Sequence, residues 1–139
     1  MDSAKSVAHR LAVRVLSSAH PELVLEGGLV FESGLPYAVH LQVVELRSGS
    51  GEEPAVCWTF SRELLDEGRR APSGVGDVRV APGPRGTLLI ELRGPSGVAV
   101  LGIPGGQVER FLEDAFDLVP SGEEGRHLDL EGCLARLLD

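Results

Sequence analysis

Trp58-Thr59-Phe60-Ser61-Arg62-Glu63-Leu64-Leu65-Asp66-Glu67-Gly68, followed after a short loop by Gly74-Val75-Gly76-Asp77-Val78-Arg79-Val80, passes from an apolar strand through a helical turn into a second strand. Val56, Trp58 and Phe60 alternate onto one face, the period of a half-buried strand. Trp58, the only tryptophan, is expected to pack in the core there. Ser61 is placed to cap a short helix because its hydroxyl can accept an orphan backbone N–H, and Glu63 stands where the helix dipole favours an acid. Leu64 and Leu65 supply the apolar stripe of that helix, and Gly68 offers a left-handed stop. Nothing in the stretch supplies an activated nucleophile, a metal cage or a phosphate cradle.

Working outward, alternation predicts strands on both sides. Leu11, Val13 and Val15 share one face of a first strand, with Arg10, Ala12 and Arg14 on the other. A second extended run covers residues 23–32, with a bulge or sharp bend expected at Gly27 and Gly28. Pro36 closes a turn, and Tyr37, Val39, Leu41 and Val43 form the apolar face of a third strand. Residues 48–54 read as a polar hairpin connection into the fourth, residues 55–60. Beyond the helix, Val78 and Val80 mark a fifth strand, Leu88, Ile90 and Leu92 a sixth, and Val98 and Val100 a seventh. Pro104 then opens a helix at a position where its missing N–H costs nothing. Val108, Phe111, Leu112 and Ala115, at i, i+3, i+4 and i+7, form its inner stripe. After a Pro-Ser-Gly-Glu-Glu-Gly connection, Asp129 caps a last helix with Leu130, Cys133, Leu134 and Leu137 on its inner face. No solenoid-length period is present, although a crude duplication of the four-strands-then-helix unit is expected. This order fits an α+β fold of antiparallel strands better than alternating βαβ units.

The 139 residues suit one domain spanning 1–139. An apolar fraction of 42% with 24% charged residues is that of a globular chain, and with only 4% aromatics the core must be built from Leu, Val and Ile. The net charge of -8 argues against sequence-independent nucleic-acid binding, which draws on Lys and Arg. From Pro104 onward nine acids face three bases, so a basic partner surface would dock there, unless the charge simply forms a solvated face. Cys57 and Cys133 fit no metal spacing and no disulfide framework. Two buried thiols in a reducing compartment are expected. Residues 1–20 carry no signal-peptide apolar core and no run reaches membrane-span length, which points to the cytoplasm.

The remaining motifs read as structure. Gly74-Val75-Gly76-Asp77 precedes a strand and lacks the Lys-Ser or Lys-Thr of a phosphate loop, so a turn with positive φ is the reading adopted. Pro104-Gly105-Gly106 opens a helix, but an isolated glycine pair there is an ordinary turn. His9, His20, His40 and His127 are dispersed, with no metal-ligand pairing. Ser61-Arg62-Glu63 is not a nucleophile elbow, and no Ser, His and Asp support one another as a triad. No catalytic, cofactor-binding or metal-binding residue is assigned.

Several motifs in order carry a resemblance: Gly28-Leu29 before Phe31, Pro36-Tyr37-Ala38-Val39, Trp58-x-Phe60-x-Arg62-x-Leu64-Leu65-x-Glu67-Gly68, and Pro72-x-Gly74-x-Gly76-Asp77-Val78-Arg79-Val80. Phe111-Leu112, Val119-Pro120-x-Gly122 and His127-x-Asp129-Leu130 complete the set. From about Leu23 to its end the chain resembles the SsgA-like family of actinobacterial sporulation and cell-division proteins. Twelve arginines to the single Lys5 fit the GC-rich coding bias of such a source. The resemblance implies a whirly-like arrangement of about seven to eight antiparallel strands, with a short helix after the fourth and C-terminal helices. It also implies a non-enzymatic regulator of septation, a homotrimer without a cofactor, whose partners are the tubulin-like GTPase FtsZ and other SsgA-like proteins. Its location would be the cytoplasm at division septa, with the membrane reached only through partners. The whirly-like fold raises single-stranded nucleic-acid binding as the alternative, which the charge disfavours. The chain departs from the commonest pattern at Leu35, where an acid often precedes Pro-Tyr, and in the segment 81–85, which lacks a Trp-Pro pair. Tyr37, Leu64, Arg69 and Arg70 are the expected partner contacts, with scaffold roles open for each.

Overall fold

The computed structural model describes residues 5–16, 23–44 and 54–127. Seven strands, β1 (Ser6–Val15), β2 (Leu23–Glu32), β3 (Ala38–Val44), β4 (Pro54–Ser61), β5 (Val78–Pro82), β6 (Thr87–Gly94) and β7 (Gly97–Pro104), form one antiparallel sheet in the order β4-β3-β2-β1-β7-β6-β5. Two meanders thus meet where β1 pairs β7, at Arg14↔Gly102 and Val15↔Leu101. Each meander is followed by a helix, α1 (Arg62–Gly68) and α2 (Gly105–Leu118), but the second meander has three strands where the first has four, so the four-strand unit is not duplicated as such. A third, short helix, α3 (Glu124–His127), follows. The result is an α+β fold, as the strand order led us to expect.

The sheet curls so that α1 packs against both β4 and β5, spanning the gap between its two edges, while α2 lies against β1, β2 and β7. Inward residues of every strand join one core: Leu11 and Val13, Leu29 and Phe31, Val39 and Leu41, Phe60, Val80, Ile90, and Leu101 with Ile103. Val108, Phe111, Leu112 and Ala115 of α2 are all buried in it, as their spacing requires. Trp58 packs against this core, partly buried.

Several expectations are corrected. Between β1 and β2 the register runs unbroken from Ser6↔Glu32 to Val15↔Leu23, so there is no bulge at Gly27 and Gly28. A Cβ on Gly27 would stand 2.5 Å from Val13 Cγ2 and 2.7 Å from the Gln42 carbonyl oxygen; the glycine marks a close approach, and the irregularity falls instead at Val43/Val44. Tyr37 precedes β3 and is exposed, not part of its apolar face. Cys57 is exposed, because inward Trp58 and Phe60 leave it on the outer side of β4. In β7 the inward phase belongs to Leu101 and Ile103, and Val98 is exposed. Helical backbone resumes at Glu124, inside the expected connection. The 48–53 connection and the Asp129 helix with Cys133 lie outside the described residues.

Gly68 is not a left-handed stop. It is the last residue of α1, and the next residue, Arg69, keeps right-handed φ and ψ. Its side of the helix faces β5 so closely that an added Cβ would run into the Val80 side chain and approach its backbone carbonyl carbon at 3.0 Å. In an open helix, alanine would gain about 0.5–1 kcal/mol over glycine. Forcing a methyl into packed backbone costs about 1–3 kcal/mol. Gly68→Ala is therefore expected to lower the urea midpoint with an unchanged slope, and a raised midpoint would contradict the packing argument. Gly74, in contrast, does adopt positive φ, 110°, so the turn reading of the Gly74-Val75-Gly76 loop holds.

Candidate interaction surface around helix α1

Helix α1 begins as read from the sequence: the Ser61 hydroxyl accepts the Leu64 N–H at 3.1 Å, and Glu63 lies in the first turn. Arg62, Leu65 and Gly68 share its buried face at i, i+3 and i+6. Glu63 and Glu67, one turn apart, project to solvent.

The buried arginine is the chemical centre of this region. Arg62 is only 2% exposed. Its Nη1 donates to the Val119 carbonyl at 2.7 Å and the Ala115 carbonyl at 3.1 Å, at the end of α2. The Ala115 carbonyl already accepts the Val119 N–H at 3.0 Å, so the guanidinium is a second donor there and supplies the donor of the Val119 carbonyl, while its charge offsets the negative end of the helix dipole. Its carbon sits 4.2 Å from the centre of the Phe116 ring and 4.8 Å from that of Phe31. Nη2 lies 3.3 Å from Glu124 Oε2, a charge contact rather than an aligned hydrogen bond. One side chain thereby ties α1 to β2, α2 and α3. Burial pulls the guanidinium below its ordinary pKa, opposed by the contact with Glu124 and by the charges of Glu124 and Asp66.

Glu124 also accepts the Gly122 N–H at 2.6 Å. Its carboxyl is held below the ordinary 4.5, first by a hydrogen bond from its own backbone N–H, then by Gly122 and Arg62. A carboxyl with a depressed folded pKa contributes stability that is fully present above the unfolded value and is lost as pH falls through the folded one. Glu124→Gln is therefore expected to destabilise by about 1 kcal/mol or less near neutral pH, since the pair is partly solvated. That difference should close as pH drops below 4.5. A gap that stays constant to lower pH would show that the charge of Glu124 contributes nothing.

The four expected contact residues are distributed around this centre. Tyr37 is 56% exposed. Its backbone carbonyl accepts the Arg62 N–H at 2.8 Å. Arg70 is 72% exposed and reaches Asp66 only at 3.8 Å, so its head is available at the surface. Tyr37 and Arg70 line one cleft of about 290 Å³ with Ser61, Glu63, Glu67 and Phe116. Leu64 lies on the other flank of α1, in a groove of about 630 Å³. Arg69 is drawn back, its Nη2 bonded to Asp66 Oδ1 at 2.7 Å. The structure thus brings Tyr37 and Arg70 together and leaves Leu64 and Arg69 apart from them. Sequence reading missed Arg62 as a structural hub; the available signal was its helical spacing to Leu65.

Comparison with known proteins places this arrangement. Residues 25–124 match the family model described as Streptomyces sporulation and cell division protein, SsgA. The chain is 38% identical over 136 residues to the sporulation-specific cell division protein SsgB of Streptomyces coelicolor, covering 96% of each. It is also 38% identical over 133 residues to SsgB of Kineococcus radiotolerans, covering 92% of this chain and 77% of the relative. Among solved structures it superposes with a TM-score of 0.81 and 35% identity, over 92% of this chain and 99% of the other, on one from work on SsgB mutations that correlate with longitudinal cell division during sporulation of Streptomyces coelicolor. An SsgA-like sporulation-specific cell division protein from Thermobifida fusca superposes with the same TM-score at 26% identity, over 98% of both chains. The chain therefore belongs to the SsgA family of sporulation and cell-division proteins.

Proposed function

We propose that this chain is a non-enzymatic regulator of sporulation-specific cell division, acting as a single domain through protein–protein contacts that help position or activate the FtsZ-based septum machinery. The observation that carries the reading is the family match across residues 25–124, with similarity extending over nearly the whole length of SsgB relatives. Its partners would be FtsZ and other SsgA-like proteins, and the chain would act as a homotrimer at division septa. No helix among the described residues is long and apolar enough to cross a membrane. Membrane association would accordingly run through partners. The contact surface would centre on the exposed Tyr37 and Arg70, with Leu64 on the opposite flank of α1 and Arg69 holding Asp66 in place. Binding of single-stranded nucleic acid is disfavoured by the charge of -8.

The test is localisation. A fluorescent fusion expressed in a sporulating actinobacterium is expected to form regular foci or ladders at sporulation septa, and a signal diffuse throughout sporulation would contradict the proposal. Light scattering should return three times the chain mass of 14.7 kDa. A strict monomer would remove the trimer from the account.

A further inference from the structure

The two edges of the sheet are finished differently. β5, at one edge, is covered by a backbone bridge in which Ser73 and Val80 exchange both hydrogen bonds, at 2.8 and 3.0 Å. β4, at the other edge, has no such cover among the described residues. The Arg62 N–H bond to the Tyr37 carbonyl fixes the phase of the β3–β4 ladder. In an antiparallel pair the bonded positions alternate, so the backbone N–H and C=O groups of Cys57 and Thr59 point away from β3. A row of such groups is a template for another strand.

A groove of about 630 Å³ adjoins this edge, bounded by Thr59 and Ser61 on β4, Leu64 on α1 and the 74–78 segment leading into β5. Its charged residues are Glu63, Glu67 and Asp77, none of which has an ion-pair partner among the described residues. Val75 at its rim is fully exposed. Free main-chain groups beside an acidic trough with an apolar rim match one ligand chemistry. We propose that this groove receives an extended, basic segment of a partner protein, which adds to β4 as an eighth strand. The partner's backbone would pair with Cys57 and Thr59, alternate Lys or Arg side chains would meet Glu63, Glu67 and Asp77, and apolar ones would rest on Leu64 and Val75. The proposal rests on the interaction reading above and adds to it a second contact surface, on the Leu64 flank of α1, with the partner chemistry that fits it.

A fluorescein-labelled synthetic decapeptide alternating valine with arginine is the probe, titrated into the full chain and followed by anisotropy. Binding is expected at low salt and should weaken as salt rises. Thr59→Pro removes an N–H that makes no bond to β3, a position where an edge strand tolerates proline, and should weaken binding roughly tenfold or more. Thr59→Ala, which keeps the N–H, should not. The same peptide N-methylated on its pairing edge should bind wild type as poorly, which keeps the test sound if the proline variant misfolds. Glu63→Gln with Glu67→Gln should weaken binding several-fold, and the peptide should slow hydrogen exchange at Cys57 and Thr59. Absence of binding, or equal binding by the N-methylated peptide, would overturn the proposal. So would exchange at Cys57 and Thr59 that is already slowed, without peptide, as protein concentration rises, because a second copy would then hold the edge. If FtsZ is still recovered while the peptide fails, only this assignment falls.

Discussion

Replacing Arg62 with alanine is expected to destabilise the fold by about 3–5 kcal/mol, the range for removing one side of a buried charged network. The Val119 carbonyl loses its donor, and a buried acceptor left unpaired costs about 1–3 kcal/mol before water reaches it, while the Ala115 carbonyl loses one of two donors and keeps the Val119 N–H at 3.0 Å. The rings of Phe31 and Phe116 lose a cation worth about 0.5–2 kcal/mol over each face. Those losses overlap, because the cavity left behind admits some water, and the full sum is not reached. Against a total of about 5–15 kcal/mol for a domain the loss is severe, a fall in melting temperature of roughly 10 °C or more. Arg62→Met should fare little better, since it fills volume but offers no donor. Arg62→Lys should recover only part, because an ammonium cannot serve two carbonyls and two ring faces in one plane. A shift of Arg62→Ala within about 0.5 kcal/mol of wild type, the range of an ordinary surface substitution, would show that the arginine is incidental.

Phe111→Ala is expected to cost about 3–5 kcal/mol. The ring is fully buried in the stripe that seats α2 on the sheet, and His9 of β1 meets it edge-on, 5.6 Å between centroids. Alanine is the better helix former by no more than about 0.7 kcal/mol, which cannot offset the cavity. His9 also reaches Asp114 at 2.8 Å, a contact on the outer side that the substitution leaves in place. Denaturant unfolding should show a lowered midpoint with the slope retained; a loss below about 1 kcal/mol would mean that the core collapses around the gap.

What could be read from sequence follows from how local each device is. The Ser61 cap, the α2 stripe and the strand alternations act within a few residues, and the structure reproduces them. Gly27 and Gly68 were misassigned because a glycine can signal either backbone conformation or close approach. Only the neighbours Val13, Gln42 and Val80, brought in by tertiary pairing, decide between them. The phase of β7 was misplaced because Val98 and Val100 are as apolar as the inward Leu101 and Ile103. For Arg62 the one local signal was its spacing to Leu65, which places it on the buried face of α1 but does not show what it binds. Its carbonyl partners lie 53 and 57 residues away, and a charged residue at a helix start reads as solvent-facing until Phe31 and Phe116 are seen to enclose it. The same holds for the surface: Tyr37 and Arg70 share a cleft only because the Tyr37 carbonyl is bonded to the first residue of α1.

Recovery of FtsZ on the purified, tagged chain from extracts of sporulating actinobacterial cells tests the central claim most directly. Wild type should retain FtsZ above bare resin, and the double substitution Tyr37→Ala with Arg70→Glu, on residues whose exposure leaves the fold's stability unchanged, should lose it. Equal FtsZ on wild type, the double variant and bare resin would contradict the claim.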